Sequence, residues 1–109
     1  MNNKISNKIL KFIETHPKCS FAELESNIIG FKGDLIFGIP ASNIVFWPGM
    51  SEEAINAISE LIREDKIDIE EVSPIIYAID SDTFVNLPIG RSSKEYKRPH
   101  WLPLAFTVI

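Results

Sequence analysis

The spacing of apolar and polar residues changes several times along this chain of 109 residues, and each change marks an element. From Ser51 to Asp65 the apolar residues Ala54, Ile55, Ile58, Leu61 and Ile62 recur at three- and four-residue steps. At about 100° per residue they fall on one stripe, which predicts an amphipathic helix. Ser51 is a suitable N-cap, because its hydroxyl can accept from a free first-turn N–H. Glu52 and Glu53 follow where the helix dipole favours negative charge. The opposite face carries Glu52, Glu53, Asn56, Ser59, Glu60 and Arg63.

The same period predicts a first helix over 4–15, with Ile5, Ile9, Phe12 and Ile13 inward and Lys4, Lys8 and Lys11 on the far side. His16-Pro17 ends it, since the residue before proline avoids the α region. Ser20 and Glu23 have the spacing of a capping box, in which each side chain satisfies a free backbone N–H. A second helix is expected over about 21–29, with Phe21, Leu24, Ile28 and Ile29 inward and Gly30 as its stop.

Elsewhere the pattern is that of strands. Ile67 and Ile69 alternate with Asp68 and Glu70, so 66–72 reads as a half-buried strand. Residues 75–79 read as another, with Ser73-Pro74 as an interruption, Asp80–Asp82 as a turn and Thr83–Leu87 as the returning partner. Residues 75–87 are thus expected to form a β-hairpin. In the stretch 31–50, Gly33, Gly38, Pro40, Pro48 and Gly49 mark turns around two short β-prone runs, Leu35–Phe37 and Asn43–Trp47. Trp101–Ile109 carries no charge. An apolar tail of that kind is expected to pack back on the domain as a strand, or to lie against a partner. The fold class expected is α+β: three helices, a C-terminal β-hairpin and an additional C-terminal strand. They form a single domain over 1–109, with its core in about 4–88 and an extension over 89–109.

Composition adds bounds. At 45% hydrophobic and 24% charged residues the chain is an ordinary globular one. No apolar run approaches the roughly 20 residues that span a bilayer, and the N-terminus lacks the apolar core of a signal peptide. A cytoplasmic protein without membrane contact is expected. The single cysteine, Cys19, cannot form an internal disulfide. Charge is unevenly placed: residues 1–32 carry +2, residues 33–90 carry −9 and residues 91–109 carry +3. The basic ends can fold back on the acidic middle or face an anionic partner.

The order helix, capped helix, short strand, helix and hairpin resembles winged helix-turn-helix domains over roughly residues 4–88. The phrase LIREDKI before a hairpin adds to the likeness, since a helix end and a first wing strand commonly stand there. The resemblance implies a small DNA-binding protein, a transcriptional regulator, whose third helix enters the major groove of double-stranded DNA. Asn56, Ser59, Glu60 and Arg63 would then face the bases. Regulators of this kind are often dimers, so a homodimer is allowed. The sequence departs from the pattern in the long connection of about twenty residues between the second and third helices, and in the three glutamates on the presumed reading face. Either DNA is held elsewhere, or the fold serves as a non-enzymatic protein-interaction module. Such a module would dock through the acidic 51–65 helix or the apolar C-terminus.

Elsewhere would mean the cations outside that helix. Arg91, Lys94, Lys97 and Arg98 lie within eight residues, with Tyr96 among them and His100 and Trp101 following. Cations hold phosphates and rings stack on unpaired bases, although Trp101 beside Leu102 reads better as a core anchor. The nucleic-acid-binding candidates are therefore Lys4, Lys8, Lys11, Arg63, Arg91, Lys94, Lys97 and Arg98. No catalytic motif, phosphate-binding loop or cofactor motif is present in the sequence. His16, Cys19 and His100 are too few for structural zinc, and Asp80 with Asp82 lacks the glycine and glutamate of a calcium loop.

Overall fold

A computed structural model describes residues 3–77, 85, 87–91 and 94–109. It is an α+β fold with two small sheets. The elements in chain order are α1 (Asn3–Thr15), β1 (Cys19–Ser20), α2 (Phe21–Asn27), β2 (Lys32–Ile39), a 3-10 turn (Pro40–Ser42), β3 (Ile44–Met50), α3 (Glu52–Arg63), β4 (Ile67–Glu71), β5 (His100–Trp101) and β6 (Leu104–Val108). One sheet has the order β1-β6-β4, antiparallel throughout. The other has the order β2-β3-β5, with β2 and β3 antiparallel and β5 parallel to β3.

Local chemistry sets the helix ends. The Ser20 hydroxyl accepts from Glu23 N (3.2 Å), and the Glu23 carboxylate accepts from Ser20 N (3.3 Å), completing the capping box. Ser51 caps α3 by accepting from Ala54 N (3.1 Å) and donates its own proton to Gly30 O (2.6 Å). One hydroxyl thereby starts a helix and holds the turn after α2. Gly33 lies against Ser51, where a Cβ would stand 2.5 Å from the Ser51 Cα, so only glycine permits this approach.

The stretch between α2 and α3 is mostly sheet. Gly33 and Gly38 lie within β2, and Pro48 and Gly49 within β3, rather than in turns as their types suggest. The reversal is made by the 3-10 turn and by Asn43, which takes the left-handed conformation (φ 55°). Gly38 leaves room for the Ile44 carbonyl, which a Cβ would strike. Pro48 lacks a donor, and it stands in the half of β3 that β5 does not reach, where no ladder bond to β5 is needed.

The segment after β4 differs from expectation. Ile75–Tyr77 is helical and does not begin a strand. Ser73 Oγ accepts from Ile75 N (3.3 Å), with Pro74 next to it, which is a helix start and not an interruption between strands. Val85 and Leu87 are not in a strand either, since Leu87 N donates back to Val85 O (2.9 Å). The rest of the expected hairpin, including the Asp80–Asp82 turn, lies outside the described residues.

The apolar tail packs inward. Trp101, Leu102, Pro103, Leu104, Ala105 and Phe106 are all buried. β5 joins one sheet through Ile44 and Val45, and β6 runs through the middle of the other between β1 and β4. The Leu102–Pro103 link between them is also tied, by Leu102 N to Val45 O (2.9 Å) and Val72 N to Pro103 O (3.0 Å). A chain of rings fills the space between the sheets. Phe106 meets Phe21 edge-on at 4.8 Å, Phe21 stacks on Trp47 at 6.0 Å, Trp47 meets Tyr77 at 5.4 Å and Tyr77 meets Trp101 at 5.0 Å. α1 covers this core through Ile9 and Ile13, and α3 packs on α1 through Ala54, Ala57, Ile58 and Leu61.

Tyr77 joins three parts of this core. Its hydroxyl donates to Leu104 O (2.6 Å) and accepts from Phe21 N (3.2 Å), a first-turn donor of α2 with no partner inside its own helix. Tyr77→Phe keeps the ring and strands both groups in the core. The expected loss is about 1–3 kcal/mol of unfolding free energy, read as a lower urea midpoint at unchanged slope. An unchanged midpoint would mean that this hydroxyl does not hold β6 to α2.

Candidate interaction surfaces

The basic segment is anchored by Tyr96. Its ring stacks on His100 (centroids 3.7 Å apart), its hydroxyl accepts from Arg91 N (2.9 Å), and its backbone N donates to Ser42 O (3.0 Å). Asn43 Nδ2 donates to Tyr96 O (2.7 Å), so the loop is fixed to the turn between β2 and β3. Arg91, Lys94, Lys97 and Arg98 all point outward from it. Trp101 belongs to the core, and its Nε1 donates to Phe46 O (3.2 Å).

The other predicted cations stand elsewhere. Lys8 and Lys11 are exposed on α1, and Lys4 lies in the same helix with its side chain outside the described residues. Lys8 and Lys11 do not face away from the fold on a bare helix surface. They line a groove of about 370 Å³ together with Phe12, Thr15, Asn27, Ile28 and Ile29. Arg63 is exposed in the last turn of α3. The described cations thus stand on different elements, Lys8 and Lys11 on α1, Arg63 at the end of α3 and the other four on the Arg91–Arg98 loop. α1 packs on α3 and β6, whereas the Arg91–Arg98 loop sits on the β2–β3 turn.

The outer side of α3 is acidic. Glu52, Glu53 and Asn56 are exposed, and Ser59 and Glu60 are half-exposed. Glu64, Asp65, Asp68, Glu70 and Glu71 continue the acidic run to the end of β4. Among the described residues, two ion pairs involve this run, Lys66–Glu64 at 3.3 Å and Lys18–Glu70 at 3.9 Å. All four partners are exposed, so neither pair contributes much to stability.

An apolar surface was not anticipated from the sequence. β2 is an edge strand of its sheet, and among the described residues no strand pairs with its outer side. It exposes Ile36 (65%), Leu35 (47%) and Ile39 (38%). Ile36 also forms one wall of a groove of about 240 Å³, opposite Pro40, Val45 and Pro99. That volume is below the range of about 300–1,000 Å³ usual for small-molecule sites, and fits a side chain better than a cofactor. Bulges lie at Gly33–Asp34 and near Phe37, and they bend the edge without covering its apolar residues.

Among the described residues no three His, Cys, Asp or Glu side chains are grouped to hold a metal ion. No described helix is long and apolar enough to cross a membrane. Comparison with protein families, with curated proteins and with solved structures finds no match for this chain.

Tyr96→Phe tests how the basic loop is held. Removing the acceptor of Arg91 N at a half-exposed site is expected to speed amide exchange at Arg91 and its neighbours, with a global change within about 1 kcal/mol. Unchanged exchange at Arg91 would show that the ring stack and the bonds to Ser42 and Asn43 fix the loop without the hydroxyl.

Proposed function

We propose that this chain is a small non-enzymatic protein-interaction module, which receives a partner along the edge strand β2. The observation that carries this reading is the row of exposed apolar side chains, Leu35, Ile36 and Ile39, on a strand whose outer backbone is unpaired among the described residues. Free strand edges template pairing with another chain, and folded proteins normally blunt them with charge or cover. Here Lys32 and Asp34 guard only the first half of the strand. A partner strand would gain main-chain hydrogen bonds from the edge and apolar burial from Ile36.

A DNA-binding reading, as the winged-helix likeness implies, rests on the four exposed cations of the Arg91–Arg98 loop. It is the weaker one. Duplex affinity needs several phosphates neutralised together, and these cations are separate from Lys8, Lys11 and Arg63. The outward face of α3 would bring Glu52, Glu53 and Glu60 toward the duplex.

The two readings separate in one pair of measurements. Partner recovered with the wild-type chain from its own cells is expected to fall at least about tenfold with Ile36→Glu, equivalent to about 1.4 kcal/mol. Ile36 is exposed, so this variant should melt as the wild type does. Equal recovery by the two chains would sink the β2 reading. In parallel, anisotropy of a labelled random duplex is expected to stay flat between about 50 and 200 mM salt. Steeply salt-dependent binding that disappears when Arg91, Lys94, Lys97 and Arg98 are all changed to Ala would put DNA first.

A further inference from the structure

Apart from β2, a surface on α1 and the end of α2 joins apolar exposure to positive charge. α1 and the end of α2 enclose the groove of about 370 Å³ lined by Lys8, Lys11, Phe12, Ile28 and Ile29. Ile29 is the most exposed large apolar side chain among the described residues, at 86%. It stands where the chain leaves α2 and turns at Gly30, whose left-handed conformation (φ 89°) reverses the backbone and leaves Ile29 outside the core. Ile28, one residue earlier, is buried. The floor is thus continuous with the core, and the outer lip is apolar.

The α1 wall is cationic. Lys8 and Lys11 are three residues apart, so their ammonium groups lie on one face of the helix. No carboxylate among the described residues is within ion-pair distance of either. Phe12 and Thr15 continue the same wall, and the Thr15 hydroxyl is already turned back to Lys11 O (3.2 Å) and Phe12 O (3.1 Å). The groove therefore offers apolar contact, two positive charges and the Asn27 amide, whose Nδ2 is turned back to Glu23 O (2.8 Å).

We propose that this groove is a second docking site of the module, and that its occupant is a short acidic peptide segment carrying an apolar anchor side chain. Charge complementarity selects the sign of the occupant, and the walls select its form. A phosphate backbone would use Lys8 and Lys11 but leave Ile29 and the open side of Phe12 in water. A purely apolar segment would cover Ile29 and desolvate the lysines without a partner, which is costly. A segment with Asp or Glu around a large apolar residue satisfies both walls at once. The acidic side chains set the encounter and the register, and the anchor supplies the slow release. The site goes beyond the β2 reading and uses none of its residues.

The test uses the whole folded chain as bait for a displayed library of random peptides, followed by anisotropy with labelled copies of those selected. The expected peptides carry Asp or Glu on either side of an aromatic residue or leucine. Their binding should weaken on the order of tenfold with the double change Lys8→Glu and Lys11→Glu, several-fold with Ile29→Ser, and several-fold between about 50 and 200 mM salt. All three positions are exposed, so circular dichroism should find the variants folded. Selection of neutral or basic peptides would overturn the proposal, as would acidic peptides bound equally well by the double variant. Binding to vesicles of anionic lipid that the peptides cannot displace would also overturn it, in favour of a lipid surface. Failure to select any peptide, while Ile36→Glu still abolishes partner recovery, would remove this second site and leave the β2 reading intact.

Discussion

Both sheets depend on a single uncharged segment. Residues 100–108 supply the third strand of one sheet and the central strand of the other, and the buried Leu102–Pro103 link joins them. Without β6, β1 and β4 have no common neighbour, and the capped start of α2 loses the strand it rests on. The aromatic contacts follow from this arrangement. Phe106 and Trp101 come from the same segment and reach the two ends of the ring chain, so the core between the sheets closes only when the segment is in place. Such burial is the dominant favourable term for a chain of this size, while the hydrogen bonds mainly fix which strand goes where.

Around that buried centre, the surfaces divide by chemistry. One side of the molecule, along α3 and β4, is acidic and polar. The edge strand β2 and the α1–α2 groove are apolar, and the groove has cations beside it. The Arg91–Arg98 loop adds a further positive patch, held by Tyr96. Several small, unlike surfaces accord with the interaction role proposed above, whereas duplex DNA would use one long positive face.

Much of the fold was legible where the controlling atoms are close in sequence. The Ser20–Glu23 box, the Ser51 cap, the α1 and α3 stripes and the Ile67–Ile69 alternation all act over a few residues, and each appears as expected. Signals failed where a distant partner decides. Ser73-Pro74 begins a helical turn because Tyr77 must reach Phe21 and Leu104, which are 56 and 27 residues away. Gly33 and Gly38 look like turn residues, but their role is to admit the backbones of Ser51 and Ile44. The surfaces were harder still. Leu-Ile-Phe-Gly-Ile in β2 is apolar on both faces, so no alternation marks which side is exposed or that the strand is an edge. Lys8 and Lys11 were recognisable as an outward stripe, but their neighbours Ile28 and Ile29 come from another helix end.

The position of β6 has a kinetic consequence. Cys19 pairs with Phe106 and Ile67 with Val108, so the sheet that β6 centres closes only after the intervening chain has been made. Such distant pairings fold slowly, because the entropy of closing the long loop is lost before any contact offsets it. On the ribosome, the helices and the β2–β3 hairpin emerge well before residues 100–108. During that interval the apolar faces of α1 and β1 are open to the solvent, and the nascent chain is most exposed to aggregation and to chaperone binding. The same segment that completes the native structure therefore sets how long the chain stays unprotected before reaching it.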